Sequence, residues 1–297
     1  MINVTKALKN NRVMKSLTGL AAEEFTLLLV MFTDTLLVNA NTKPRQRKVG
    51  GGRKGSLVTT TDKLFFILFY YKVYPTMDVA GLLFNVDRSK ICLWVKKLTL
   101  ILEKCLGHAC VLPERRITSV EEFQERFGND DVFIDGVERK IQRPQKSKLT
   151  KRRYSGKKKT HTRKNIIVSD KKKRIYVVSP SKDGKFHDKK MLDKEHIGET
   201  LPPEAEVFVD KGFQGMDKTS KSIINMPMKK IKNQSFTPEQ KENNSIISSI
   251  RMGVEHAIGG VKRFGIVADI FRNKNGFDDI VTRVCAGLWN FHVVYGE

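Results

Sequence analysis

Apolar residues recur at helical spacing through the first 40 positions, with Leu17, Leu20, Phe25, Leu28, Leu29 and Phe32 at i, i+3 and i+4 intervals. The run NTKPRQRKVGGGRKGSL, 41–57, breaks that period with six Lys or Arg, four Gly and no acid. It reads either as a solvated linker or as a flexible arm against phosphates. From Thr61 the helical pattern resumes in three segments. Asp62 is expected to cap LFFILFYYKVY, Thr76 to cap MDVAGLLF, and Asp87, followed by Ser89, to open RSKICLWVKKLTLILEKCL. Leu93 and Leu100 are expected to face the core of this bundle. After about residue 113 the period shortens toward that of strands. DVFIDGVERKIQ (131–142), HTRKNIIVSD (161–170) and KRIYVVSPS (173–181) predict three consecutive strands, the last two joined at SDKKK. A helix begun at Asp188 follows, then strands at EVFVDKG (206–212) and KSIINMPMKK (221–230), a helix carrying Glu255, and a last amphipathic helix in DDIVTRVCAGLWNFHVV. This order predicts an α/β fold with a mixed sheet, antiparallel first and parallel later, preceded by an α-helical region.

The net charge of +23, from 55 Lys plus Arg against 32 Asp plus Glu, favours a polyanionic partner, and nucleic acid ahead of an anionic membrane surface. That balance sharpens one reading of the helices. A helix capped by Thr76, a turn at Phe84–Val86 and a longer helix bearing Arg88, Lys90, Lys96 and Lys97 together read as a helix-turn-helix with those four cations toward DNA. The longest apolar runs, FTLLLVMF and LFFILFYY, fall far short of the roughly 20 residues a bilayer span needs, and the N-terminus lacks the apolar core of a secretory signal. Cys92, Cys105, Cys110 and Cys285 form no CxxC pair, so they are read as reduced, mostly buried thiols of a cytosolic protein.

Two aspartates carry the candidate chemistry. Asp135 ends the apolar triplet Val132-Phe133-Ile134 and Asp210 ends Val207-Phe208-Val209, each close to a glycine. Aspartate is disfavoured in strands, so either residue is a strand-end turn or an acid placed for a purpose. If the two strands are neighbours, both carboxylates converge, and hard oxygen ligands suit Mg²⁺ or Mn²⁺. Further on, Arg251, Glu255 and Lys262 share a helical stripe, Glu255 lying about 40° and Lys262 about 20° round from Arg251. A second stripe of Ile247, Ile250, Val254, Ile258 and Val261 places Glu255 at the border of core and solvent. The stretch 139–174 holds 17 Lys or Arg against a single acid, Asp170, and is read as at least partly a solvated loop bordering the acids. Within it Lys157, Lys158 and Lys159 are candidate phosphate contacts, while Tyr154 and His161 either stack on bases or pack. His187-Asp188 is read as a helix start with Asp188 as the cap, and His256 is assigned no chemistry.

The segments IDGVERKIQRP, RRYSGKKKTHTRKN, GKFHD, VDKGFQG and RMGVEHAIGGVKRFGI resemble the DDE-superfamily transposases of bacterial insertion sequences, in the IS-five branch. Arg251, Glu255 and Lys262 fit that branch's Tyr-x-x-Arg-x-x-x-Glu-x-x-x-x-x-x-Lys signature, with Ser248 at the tyrosine position. The resemblance implies a helical leader with a basic arm over 1–60, a helix-turn-helix domain over 61–112 and a ribonuclease-H-like catalytic domain over 128–297. It further implies a triad of Asp135, Asp210 and Glu255 holding two Mg²⁺ (or Mn²⁺) ions. Arg251 and Lys262 would contact phosphates. The implied activity is cleavage at transposon ends and strand transfer into target DNA, by a homodimer or higher oligomer with no membrane partner. A DNA-binding relative without activity, a nuclease that only hydrolyses, and an RNA-binding protein are the competing readings.

Overall fold

The computed structural model describes residues 2–41, 56–128, 130–230, 235–273 and 276–296, so most of the basic arm at 41–57 lies outside the described residues. The chain forms two compact units. One comprises Met1–Leu112 with Lys262–Asp269 and Asn290–Glu297; the other comprises Pro113–Val261 with Ile270–Trp289. Among the described residues no helix is long and apolar enough to cross a membrane. All four cysteines are free thiols, with Cys105 and Cys285 buried and Cys110 exposed.

The first unit is helical: α1 (Val4–Leu8), α2 (Asn11–Thr18), α3 (Ala22–Asn41), α4 (Thr60–Val73), α5 (Met77–Phe84) and α6 (Arg88–His108). Helix α4 is its axis. Every residue from Leu64 to Tyr71 is buried, as a helix apolar on all sides requires, with α2, α3 and α6 around it. Asp62 is not its cap, as the sequence suggested, but the third residue of a capping box. The Thr59 hydroxyl accepts the Asp62 N–H at 3.0 Å, and the Asp62 carboxylate accepts the Thr59 N–H at 3.1 Å. Thr76 caps α5 as expected.

Between α5 and α6 the chain turns at Asn85, which is left-handed (φ 52°), and the Val86 N–H returns to the Gly81 carbonyl at 2.9 Å. The turn folds so closely over α5 that a Cβ on Gly81 would stand 2.7 Å from the Val86 carbonyl oxygen. Alanine would gain about 1 kcal/mol of helix propensity there, but overpacking against rigid backbone costs about 1–3 kcal/mol. Gly81→Ala is therefore expected to lower the thermal midpoint; an unchanged midpoint would show that the turn is not constrained as described. The buried face of α6 runs through Ile91, Val95, Leu98, Leu102 and Cys105. Leu93 and Leu100 instead stand 65% and 53% exposed. The longer, uninterrupted apolar stripe takes the core, which leaves Leu93 and Leu100 on the same exposed face as Lys96 and Lys97. Arg88 and Lys90 are exposed at the start of α6, in surface ion pairs with Asp78 and Asp87.

The second unit runs α7 (Val120–Phe127), β1 (Val132–Lys140), α8 (Ser147–Arg153), β2 (Tyr154–Ser155), β3 (Thr160–Ser169), β4 (Ile175–Val178), β5 (Lys182–Asp183), α9 (Asp188–Lys194), β6 (Glu206–Val209), β7 (Ile223–Asn225), α10 (Pro238–Lys262), α11 (Gly265–Ala268) and α12 (Phe277–Tyr295). Of these, α11 and the ends of α10 and α12 belong to the first unit. The sheet is ordered β2-β3-β1-β6-β7, with β4 and β5 also paired to β3. As the sequence suggested, β1–β3 and β3–β4 are antiparallel whereas β1–β6 and β6–β7 are parallel. A mixed sheet with only the second of its main strands reversed is the ribonuclease-H-like arrangement expected. Apolar side chains from β1, β3, β6 and α9 form one core, which fixes Asp210 just past the end of β6 and Asp135 not at a strand end, as the apolar triplet before it suggested, but within β1, which β3 keeps paired as far as Lys140.

Candidate active site

Parallel pairing of β1 with β6 sets Ile134 opposite Val209. Asp135 and Asp210 each stand one step further along, side by side on strands that lie about 4.8 Å apart. The Asp135 carboxylate accepts the Gly136 N–H at 2.7 Å. Burial pushes its pKa up; the Gly136 N–H and the Arg251 guanidinium oppose that rise, while the charges of Asp210 and Asp188 add to it.

Arg251 is the cation that both aspartates share. From α10 its Nη2 lies 3.9 Å from an Asp135 oxygen and its Nη1 3.5 Å from an Asp210 oxygen. Although it shares its stripe with Glu255, which was expected at the border of core and solvent, Arg251 is only 8% exposed, and its Nε has no acceptor among the described residues. Two carboxylates on one side compensate the burial of a charge that would otherwise be costly. Val254, Ala257, Ile258 and Val261 bury the same helix, whereas Ile247 and Ile250 are only half-buried, so the core contact begins near Arg251.

Glu255 lies one helical turn beyond Arg251, exposed, and its carboxylate makes no hydrogen bond or ion pair among the described residues. His256 is exposed beside it. Among the described residues no three His, Cys, Asp or Glu side chains are grouped closely enough to hold a metal ion. The structure thus pairs Asp135 with Asp210 and leaves Glu255 outside that pair. The donor set itself fits a hard divalent cation: two carboxylates from adjacent strands, with a third acid one turn from the arginine that bridges them. Lys262, at the end of α10, is exposed and belongs to the first unit, as do Arg88, Lys90, Lys96 and Lys97.

One acid at the strand ends was missed in the sequence. Asp188 does not cap α9; His187 holds the cap position and Asp188 is the first helical residue. Its carboxylate lies against both glycines: a Cβ on Gly136 would stand 3.2 Å from Asp188 Oδ1, and one on Gly212 would stand 2.9 Å from Asp188 Oδ2. The glycines beside the two aspartates therefore make the slot for a third carboxylate. Their recurrence after each acid was the available signal. Lys164, on β3, donates to this carboxylate at 3.3 Å.

Asp188, Asp210 and Lys164 line a cleft of about 570 Å³ whose other wall carries Tyr154, Lys157 and Lys185. Tyr154 packs edge-on against His161 while remaining 44% exposed. Lys157, Lys158 and Lys159 are exposed on the turn from β2 to β3, where Lys159 is left-handed (φ 49°). Part of the basic stretch is thus solvated, as expected, while Arg139, Arg163 and Lys164 are drawn inward. Arg139 and Arg163 share Asp278, and Arg163 also pairs with Asp183.

Residues 134–290, more than half of the chain, match the family described as DDE superfamily endonuclease, and residues 55–108 match the helix-turn-helix of DDE superfamily endonuclease. The chain is 27% identical over 283 residues to a protein of Microchaete diplosiphon named as a probable transposase for insertion sequence element IS702, covering 95% of each chain. No solved structure matches it. The protein belongs to the DDE superfamily endonucleases and carries that superfamily's helix-turn-helix ahead of the endonuclease region.

Proposed function

We propose that this protein is a transposase that cleaves DNA at the ends of an insertion sequence and joins the freed end to target DNA, using Asp135, Asp210 and Glu255. The observation that carries the reading is the pair of aspartates on adjacent parallel strands, Asp135 within β1 and Asp210 just past the end of β6, beside a buried arginine and a lysine-rich cleft. The similarity to a probable insertion-sequence transposase along nearly the whole chain supports it. Asp135 and Asp210 would hold Mg²⁺ or Mn²⁺, with Glu255 completing the set from α10. When bound, such ions supply Lewis-acid activation of the attacking oxygen and stabilisation of the leaving one.

The chain's own groups do the rest. Asp135 must be ionised to act as a ligand, and Arg251 and the Gly136 N–H favour that form against the effect of burial. Helix α6 would dock in the major groove through Arg88, Lys90, Lys96 and Lys97. Lys157, Lys158 and Lys159 would hold the backbone near the cleft. Replacing those three by alanine is expected to weaken DNA binding and to lower its salt slope by about 0.9 for each phosphate no longer neutralised. An unchanged slope would assign them to solubility alone.

A pre-cleaved duplex ending in a 3′-hydroxyl tests the joining step. Incubated with target DNA and Mg²⁺, it is expected to yield joined products. Fragment release without joining would reduce the activity to that of a hydrolytic endonuclease.

A further inference from the structure

Lys164 is a charged residue in an unusual place. It sits in the middle of β3, opposite Glu138 of β1, and only 9% of it is exposed. Lysine is rarely buried to this degree without a full set of partners. Its ammonium has three N–H groups. It donates to the Phe186 carbonyl at 3.2 Å and to Asp188 Oδ1 at 3.3 Å, and no other acceptor for it is present among the described residues. Lys164 also lines the cleft that Asp188 and Asp210 border.

Asp188 is itself immobilised. Its carboxylate fills the slot left by Gly136 and Gly212 and is held from the other side by Lys164. The ammonium is therefore fixed in direction as well as in place. A compact cation with an unused donor, lining the same cleft as Asp210, suits one non-bridging phosphate oxygen.

We propose that Lys164 is a catalytic residue that donates its remaining N–H to a non-bridging oxygen of the scissile phosphate, and that Asp188 is the positioning residue that aims it. This rests on the proposed cleavage activity and adds to it an interaction outside the Asp135, Asp210 and Glu255 set. No proton or bond changes hands at Lys164. It opposes the charge that gathers on the phosphate oxygens as the attacking oxygen approaches.

The test uses the full chain, Mg²⁺ and two end substrates, one normal and one with a methylphosphonate at the scissile position, which removes the charged oxygen. On normal DNA, Lys164→Met is expected to slow single-turnover cleavage by about 10²–10³-fold, with DNA affinity little changed and Lys164→Arg restoring part of the rate. Asp188→Asn is expected to cost about 10–100-fold and to add little to Lys164→Met, because the two act as one unit. On the methylphosphonate, wild type and Lys164→Met should cleave at the same reduced rate. An equal defect of Lys164→Met on both substrates would make Lys164 purely structural and overturn the proposal. So would wild-type cleavage of normal DNA by Lys164→Met while Asp135→Asn is inactive, and that result would leave the proposed function standing. Cleavage by Asp135→Asn would instead remove the proposed function on which this inference rests.

Discussion

Asp210→Asn and Asp135→Asn are each expected to lower DNA cleavage by at least ~10²–10³-fold, the loss seen when a group stabilising a transition state is removed, without unfolding the protein. Asparagine keeps the shape of the side chain, so neither β1 nor β6 need shift, and Arg251 keeps one ionised partner at 3.9 or 3.5 Å. The two variants should differ in stability. Burial raises the pKa of Asp135 above its ordinary value of 3.8, despite Arg251 and the Gly136 N–H. A group with a raised folded-state pKa contributes stability that is full below the unfolded value and is lost as pH rises through the folded one. At neutral pH the ionised Asp135 therefore costs the fold stability. Asp135→Asn should melt at a higher temperature than wild type near neutral pH, and that advantage should shrink as the pH is lowered toward the ordinary carboxylate range. Melting curves at several pH values check this. A lower midpoint for Asp135→Asn at neutral pH would show that its interaction with Arg251 outweighs its desolvation.

The largest stability loss is expected from Asp278→Asn. Asp278, at the start of α12, accepts from Arg139 at 3.0 Å and from Arg163 at 3.1 Å. Arg139 is 2% exposed, and burial lowers its pKa while Asp278 is the main charge opposing that. The amide would leave two guanidiniums in a desolvated site with their common counter-ion gone. Breaking a buried pair from one side costs about 3–5 kcal/mol, which lowers a midpoint by on the order of 10 °C in a unit of this size. Arg139 belongs to β1 and Arg163 to β3, the strands that also carry Asp135 and Lys164. Cleavage by Asp278→Asn should fall only as the folded fraction falls, in contrast to Asp210→Asn, which should be inactive while folded. A midpoint within a few degrees of wild type would mean that Thr282 and the ring of Phe271 suffice to hold Arg139.

What was legible in the sequence follows from the range of the forces involved. The strands were readable because an apolar triplet ending in aspartate is a local signal, and their directions followed from the spacing of the elements between them. The convergence of Asp135 and Asp210 needed only that β1 and β6 be neighbours. The fates of individual charges were not readable in that way. Arg163 is drawn inward because Asp278, 115 residues away, meets it. Lys164 and Asp188 meet across 24 residues of intervening chain. The shared stripe of Arg251 and Glu255 did not reveal that the first is buried and the second exposed, because helical angle alone cannot say how far a sheet will cover a helix. Leu93 and Leu100 show the same ambiguity, since two apolar faces of α6 competed for one core. The short helices α7 and α8 were missed, α8 because its run of lysines and arginines hides any apolar period.

If Asp210 is a direct ligand in a metal-dependent cleavage site, Asp210→Cys on a labelled DNA end should respond to a change from Mg²⁺ to Mn²⁺. A thiolate is a poor ligand for the hard Mg²⁺ ion and a better one for the softer Mn²⁺. Asp210→Cys should give no detectable cleavage in Mg²⁺ and substantial recovery in Mn²⁺, with wild type active in both. Cleavage in Mg²⁺ at the wild-type rate would contradict that role.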